Sequence, residues 1–289
     1  MVTEFHESPY TQPPLVAWSL ERLARQLPDA DARRLAARHF EPLCAYQRWL
    51  DAHRRLDDGL YAWAHPYESG VENAPRFSNT DESVLRDTRG IAAVDFSSYV
   101  VLQLDALAAL AARLGRDEAA AGHVAAAARL RRRIEARLWD TDDAIYYDRD
   151  AAGSPVRVAT IASLIPLWAG GPDAGRARLL LRRIMAPEGF GTLMPLPSVA
   201  RGEPRFERDM WRGPVWLNTA YGVIQGLLRY GYEDAAAELA WRLCVGVYRV
   251  FDAERRIYEF YDPDAHHTRH LHRKRGNRWK ALTLGTGPQ

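Results

Sequence analysis

The sequence predicts an all-α protein whose antiparallel helical hairpins form a toroid, with loops at one end building a site. Three observations carry this. Apolar residues recur at helical spacing through most of the chain. Almost no stretch alternates with the two-residue period of a strand. Long connections, near 57–92, 140–157, 186–212 and 250–289, alternate with short ones near 28–31, 115, 170–173 and 230–232. In antiparallel pairs that alternation puts every long loop at the same end. A helical solenoid fits the pattern too, but no segment repeats at a fixed period, which argues against it.

The elements follow in order. Pro13 and Pro14 suit the first turn of a helix from Leu15 to Gln26, with Leu15, Trp18, Leu23 and Leu27 as its apolar stripe. Asp29 or Asp31 caps a second helix over about 32–56 that carries Phe40, Leu43, Tyr46 and Leu50. A third helix spans about 94–114 and is closed by Gly115; a fourth, rich in alanine and arginine, spans about 117–139. Asp140 to Pro155 reads as a turn with short extended pieces around Ile145-Tyr146-Tyr147. Ala159–Trp168 and Ala174–Met185 form a third pair, broken by Gly170-Gly171-Pro172; Val215–Arg229 and Glu233–Tyr248 form a fourth. The tail from 250 reads as irregular.

Composition narrows the function classes. Hydrophobic residues are 47% and charged residues 26% of the 289, proportions of a folded globular chain. A net charge of +2 demands neither a nucleic acid nor a membrane surface as partner. No apolar run approaches the roughly 18 residues of a membrane span, so a soluble, cytoplasmic protein is expected. Cys44 and Cys244 both lie in apolar helical stretches and read as reduced core thiols. Nine tryptophans and thirteen tyrosines stand out; aromatic faces stack on sugars or fill a core.

The chain is organised around the stretch from His65 to Phe77, where two carboxylates, an amide, a guanidinium and aromatic rings crowd a loop shaped by Pro66, Gly70 and Pro75. Three further clusters sit at long-loop ends. They are Arg86-Asp-Thr-Arg89 running to Asp95, Met210-Trp211-Arg212-Gly-Pro-Val-Trp216, and Ile257-Tyr-Glu259-Phe-Tyr-Asp262. Two carboxylates from distant loops, set among aromatics and arginines, are the equipment of glycoside hydrolysis. One protonates the leaving oxygen; the other activates water or attacks.

These motifs resemble the inverting (α/α)6-barrel α-glycosidases, the group of trehalases, processing α-glucosidases and the mannosylglycerate and glucosylglycerate hydrolases. The matching residues are Glu68-Ser-Gly-x-x-Asn73-x-Pro-Arg76, Thr88-Arg89-x-Ile-x-x-Val-Asp95, Trp211-Arg212-Gly-Pro-Val-Trp216 and Tyr258-Glu259-x-Tyr-Asp-Pro. They occur in the family's order between Gln12 and Pro263. Thr11-Gln-Pro-Pro and Asn277-Arg-Trp-Lys match the glycerate-glycoside hydrolases more loosely and lean the reading towards them. The resemblance implies that Glu72 is the general acid and Glu259 the general base. It implies that Gln12, Tyr67, Asn73, Arg76, Arg89, Asp95, Trp211, Arg212 and Trp216 contact a small carbohydrate substrate, and that no metal or other cofactor takes part. The family usually has aspartate where this chain has Glu72, so the acid is displaced by a methylene; Glu68 is the nearest substitute.

The family barrel has six hairpins and the pattern here gives four. Either helices escape the pattern, or residues 1–289 are one catalytic domain cut short at one or both ends. A partial toroid exposes apolar helix faces and favours homo-oligomers. Two rivals stand beside the hydrolase. A sugar epimerase on a similar toroid needs paired pocket histidines, and only His65 lies near a motif. A non-catalytic carbohydrate-binding or scaffold relative would explain Glu72. The basic run Arg269, Arg273, Lys274 and Arg275 reads as a clamp for a substrate carboxylate or as a solvated face.

Overall fold

The computed structural model describes residues 10–77 and 87–273. Arg86, Lys274, Arg275 and the Asn277-Arg-Trp-Lys match lie outside the described residues. The expected helix pairs are present. The first is α1 (Val16–Ala24) with α2 (Asp29–His53); a short α3 (Pro66–Ser69) follows in the first long loop. Then come α4 (Val94–Arg113) with α5 (Asp117–Arg137), α6 (Ile165–Ala169) with α7 (Ala174–Met185), and α8 (Leu217–Arg229) with α9 (Glu233–Glu254). Strands β1 (Trp139–Asp140) and β2 (Ile145–Tyr146) pair antiparallel, Trp139 against Tyr146, in the second long loop.

Burial separates an inner layer from an outer one. α4 is buried on nearly every side and α6 on all of them, whereas α5 and α7 bury one stripe each: Ala127, Leu130 and Ile134, and Ala177, Leu180 and Ile184. α4 packs against α1, α2, α5 and α6; α6 packs on α8, and α8 on α9. Residues three and four apart on a helix share a face, so the single-striped helices form the outside of the toroid. α4 is long and apolar enough to span a membrane, contrary to the reading that no run approaches that length, but 89% of its most apolar 18-residue stretch is buried among its neighbours. Its apolarity is that of a core helix.

Two helix boundaries and the burial of one cysteine differ from the sequence reading. The expected helix over 159–168 is a 3-10 turn at Ile161–Leu164 followed by the five-residue α6. Pro166 explains the restart, since it lacks an N–H and crowds the preceding turn. α9 continues past Tyr248 to Glu254 and stops where Arg255 turns left-handed, at φ 53°. Cys44 is buried as expected, but Cys244 is exposed. It lies beside the buried face of α9, which is made by Ala236, Leu239, Leu243, Gly246 and Val250. Trp241, Tyr248 and Phe251 share that outward side.

The four long connections meet at one end, as the alternation of loop lengths requires. Arg149 in the second bridges Ala92 in the first; Val199 in the third bridges Thr160 in the second. The fourth joins the third through Val215 and Tyr261, and again through Asp209 and His272. The helix layers hold these loops in register through close packing. A Cβ on Gly226 of α8 would stand 2.7 Å from the Leu167 side chain and 2.8 Å from the Trp168 backbone nitrogen. Alanine is favoured over glycine inside a free helix by about 1 kcal/mol. Gly226→Ala should nevertheless lower the unfolding free energy by about 1–3 kcal/mol, because backbone has to yield. Urea unfolding monitored by circular dichroism measures it; a stabilised variant would mean that α8 and α6 are not in close contact.

Candidate active site

The site is built from the first long loop inward. His65 caps α3, its Nδ1 accepting the Tyr67 N–H at 3.1 Å, between the rings of Tyr10 and Tyr67. Gly70 ends α3 at φ 70°, a left-handed turn that suits glycine. Glu68 is fully buried. It accepts from the Thr11 N–H at 2.8 Å, the Ala64 N–H at 2.7 Å and the Arg54 guanidinium at 2.6 Å. A carboxylate saturated in this way is a structural anchor, which removes Glu68 as a substitute acid. Gln12 is brought against this turn, its side-chain amide donating to the Tyr67 carbonyl at 3.2 Å. Tyr67 itself is exposed.

Arg76 lies at the centre of a buried ion cluster. It donates to Asp95 at 2.5 and 3.0 Å and to Asp148 at 3.0 Å. Asp95, in the first turn of α4, also accepts from the Trp63 indole at 3.1 Å and the Phe96 N–H at 2.8 Å. Asp148 accepts the Val94 N–H at 2.8 Å and so closes the start of α4 from the neighbouring loop. Burial pushes the Asp148 carboxyl up, Arg76 pulls it back down, and the charge of Asp95 pushes it up again. Burial and Asp95 likewise raise the nearby Tyr99 hydroxyl. Asp148 was missed in the sequence, where it is one more acid in a turn rich in them. Arg89 is placed elsewhere: it is exposed and forks onto Asp87 within its own turn.

Asn73 extends the arrangement across the loop end. Its side-chain oxygen accepts the Trp211 N–H at 3.0 Å, its amide donates to Asp209 at 3.2 Å, and its carbonyl accepts from Arg212 at 3.3 Å. Arg212 also pairs with Glu207 at 2.9 Å. Asp209 directly precedes the tryptophan motif, and nothing local in the sequence signals its contact with the distant Asn73. Trp211 and Trp216 are both buried and stack on each other at 3.8 Å between centroids, 11° apart. Trp216 then stacks on Phe260 at 4.9 Å, beside Glu259.

The segments that carry Glu72 and Glu259 are connected through one strip. Glu72 is joined to Asn73, which is bonded to Asp209–Arg212. That strip pairs through Asp209 with His272, next to Arg273, and Arg273 donates to Glu259 at 2.7 Å. The two carboxylates differ in state. Oε2 of Glu72 is buried and has no hydrogen-bond partner among the described residues, whereas Oε2 of Glu259 is paired. A buried, unpaired carboxylate oxygen costs folding free energy and is kept where a ligand will meet it. His65, the epimerase candidate, is occupied as a cap. Among the described residues no three His, Cys, Asp or Glu side chains converge as metal ligands.

A helical toroid whose loop end gathers two carboxylates, an amide and stacked tryptophans defines a class, the (α/α)6 glycoside hydrolases. A family model described as a mannosylglycerate hydrolase MGH1-like glycoside hydrolase domain matches residues 3–276. The mannosylglycerate hydrolase of Thermus thermophilus is 32% identical over 88% of this chain and 71% of that protein. That of Rubrobacter radiotolerans is 28% identical over 90% and 70%. A crystal structure of the GH63 mannosylglycerate hydrolase from Thermus thermophilus, in complex with Tris and D-glycerate, is similar at a TM-score of 0.77 and 29% identity, covering 91% of this chain and 74% of that one. The chain belongs to the family of mannosylglycerate hydrolase MGH1-like glycoside hydrolase domains.

The ion cluster makes a prediction about stability. Arg76→Met leaves Asp95 and Asp148 buried without their cation, and breaking a buried pair costs about 3–5 kcal/mol. Denaturant titration of the variant should show that loss. Adding Asp148→Asn should cost less than the sum of the two single changes, since both act on one cluster. Strictly additive effects would show that the cluster is not a unit.

Proposed function

We propose that the protein is an inverting α-glycosidase acting on mannosylglycerate or glucosylglycerate, with Glu72 as general acid and Glu259 as general base. The observation that carries this reading is the strip Asp209–Arg212, which holds Asn73, the neighbour of Glu72, on one side and the His272–Arg273 segment against Glu259 on the other. The two related mannosylglycerate hydrolases support the substrate class, as does the D-glycerate complex of the Thermus thermophilus enzyme.

In the reaction Glu72 gives its proton to the glycosidic oxygen as the bond to the anomeric carbon breaks. Glu259 takes a proton from the water that attacks that carbon from the opposite face. The products are glycerate and a sugar of inverted configuration, and the two carboxyl groups need room for the water, about 6.5–9.5 Å. Asn73, Arg212 and the Trp211–Trp216 stack would shape the sugar pocket. Arg76, Asp95 and Asp148 act behind it by fixing the loop that carries Glu72.

Glu72→Gln should slow hydrolysis of an unactivated glycoside by about 100- to 10,000-fold with little change in KM, the usual contribution of general acid catalysis. Glu72→Asp should also lose activity, because the shorter side chain withdraws the proton donor by over an ångström from a pocket formed around glutamate. Steady-state kinetics on mannosylglycerate and glucosylglycerate test both, and the anomer released, read by NMR, tests inversion. A loss below tenfold in Glu72→Gln would assign the proton to another group.

A further inference from the structure

We propose that Arg208 is a positioning residue for the general base: its guanidinium clamps the segment that follows Glu259 onto the strip that seats the acid loop. The inference rests on the glycosidase reading above. It deepens that reading by naming what aims the backbone of Glu259.

Arg208 immediately precedes Asp209, whose side chain accepts the Asn73 amide at 3.2 Å. Its backbone carbonyl accepts the His272 N–H at 2.8 Å. Its side chain crosses to the base segment, where Nη2 donates to Asp264 at 2.7 Å and Nε stands 3.3 Å from Oδ2 of Asp262. The Asp262 side chain is fully buried, and its Oδ1 closes a turn by accepting the Asp264 N–H at 2.9 Å. One turn thus presents two carboxylates to one guanidinium. Arg201 also reaches Asp264, at 2.9 Å, but Arg208 reaches Asp262 as well and is joined to the strip by its own backbone.

Backbone pairing alone leaves the base segment a degree of freedom. Tyr261 exchanges two hydrogen bonds with Val215, at 2.9 and 3.0 Å, and this pair is an isolated bridge. One bridged pair fixes a point and lets the segment pivot about it. Glu259 lies on one side of that pivot, and Asp262 and Asp264 lie on the other. A single hydrogen bond from the Met194 N–H to the Pro263 carbonyl, at 3.0 Å, restrains the far side in distance but not in rotation. The grip of Arg208 on two carboxylates there removes the rotation. The contact with Arg273 orients the Glu259 carboxylate; Arg208 orients the backbone that carries it. A general base must meet its water within hydrogen-bonding reach, and a misplacement of about 1 Å can cost roughly 100-fold in rate. Arg208 and Asp264 remain 35% and 29% exposed, so their pair adds little to folding stability while its geometry bears on the reaction.

The experiment measures kcat and KM for mannosylglycerate in the wild type, Arg208→Gln and Arg208→Lys, with and without sodium azide. Azide ion is a nucleophile with no proton to remove. It attacks the anomeric carbon as the glycosidic bond breaks, the leaving oxygen takes the proton of Glu72, and the products are glycerate and a glycosyl azide. Azide therefore bypasses a misaimed base and does nothing for a protein that has merely lost structure. Arg208→Gln should lose roughly 10- to 100-fold in kcat with KM within about twofold of the wild type. Azide should recover part of that loss and leave the wild type unchanged. Arg208→Lys keeps the charge without the fork that serves both carboxylates, and should fall between the two. Asp264→Asn weakens the same contact from the other side and repeats the test if Arg208→Gln folds poorly by circular dichroism. A kcat within about twofold of the wild type, or a loss that azide does not relieve, overturns the role of Arg208 and leaves the glycosidase standing. A Glu259→Ala variant with wild-type turnover, or a wild type inactive on mannosylglycerate and glucosylglycerate alike, removes the glycosidase reading and this inference with it.

Discussion

The bidentate grip of Arg76 on Asp95, shared with Asp148, is the interaction on which the loop end depends. It joins three pieces that come from different parts of the chain: the loop of Glu72, the first turn of the innermost helix, and the second long connection. All three side chains are nearly free of solvent. Charges so deep are tolerable only when each is paired and its remaining hydrogen bonds are met. Asp95 and Asp148 meet theirs with the Trp63 indole and the Val94 N–H. The cluster thus demands one arrangement of three elements, and the aim of Glu72 follows from it.

The same demand explains why the conspicuous residues divide into two groups. Glu68, Arg76, Asp95 and Trp216 have protein partners at hydrogen-bonding distance or in stacking contact. They hold the loops. Of the two carboxylates assigned to the reaction, Glu72 keeps one buried oxygen with no hydrogen-bond partner among the described residues. Long loops rely on side chains as well as on backbone hydrogen bonds to stay in place, so much of a polar motif goes to fixing them. A motif read from sequence mixes the fixing residues with the reacting ones, since both are polar and both stand at loop ends.

That mixture sets what could be read from the chain before its structure. Helical periodicity and glycine or aspartate at helix ends placed the pairs to within a few residues, and the alternation of loop lengths placed the long connections together. Periodicity misjudged 159–168 because Pro166 interrupts backbone hydrogen bonding without disturbing the apolar pattern. It misjudged Cys244 because one residue is 100° of rotation on a helix, enough to turn a side chain from core to solvent. Asp148 and Asp209 were invisible for another reason. Their importance lies in contacts with residues distant in sequence, Arg76 and Asn73, and nothing local distinguishes them from neighbouring acids.

Glutamate at position 72 also gains a physical context. A longer acid reaches further from its backbone, and the backbone here is held by Asn73 against Trp211, Asp209 and Arg212. With the loop so fixed, side-chain length alone decides how far the proton donor projects. Moving the loop back to compensate would break the Asn73 contacts. The strip that seats Asn73 also aligns His272 and hence Arg273 opposite Glu259. A shift on the acid's side is therefore transmitted to the base's side through a few hydrogen bonds. Acid reach, loop position and the pairing of Glu259 form one coupled geometry, and substitutions at any of them are expected to be non-additive with the others.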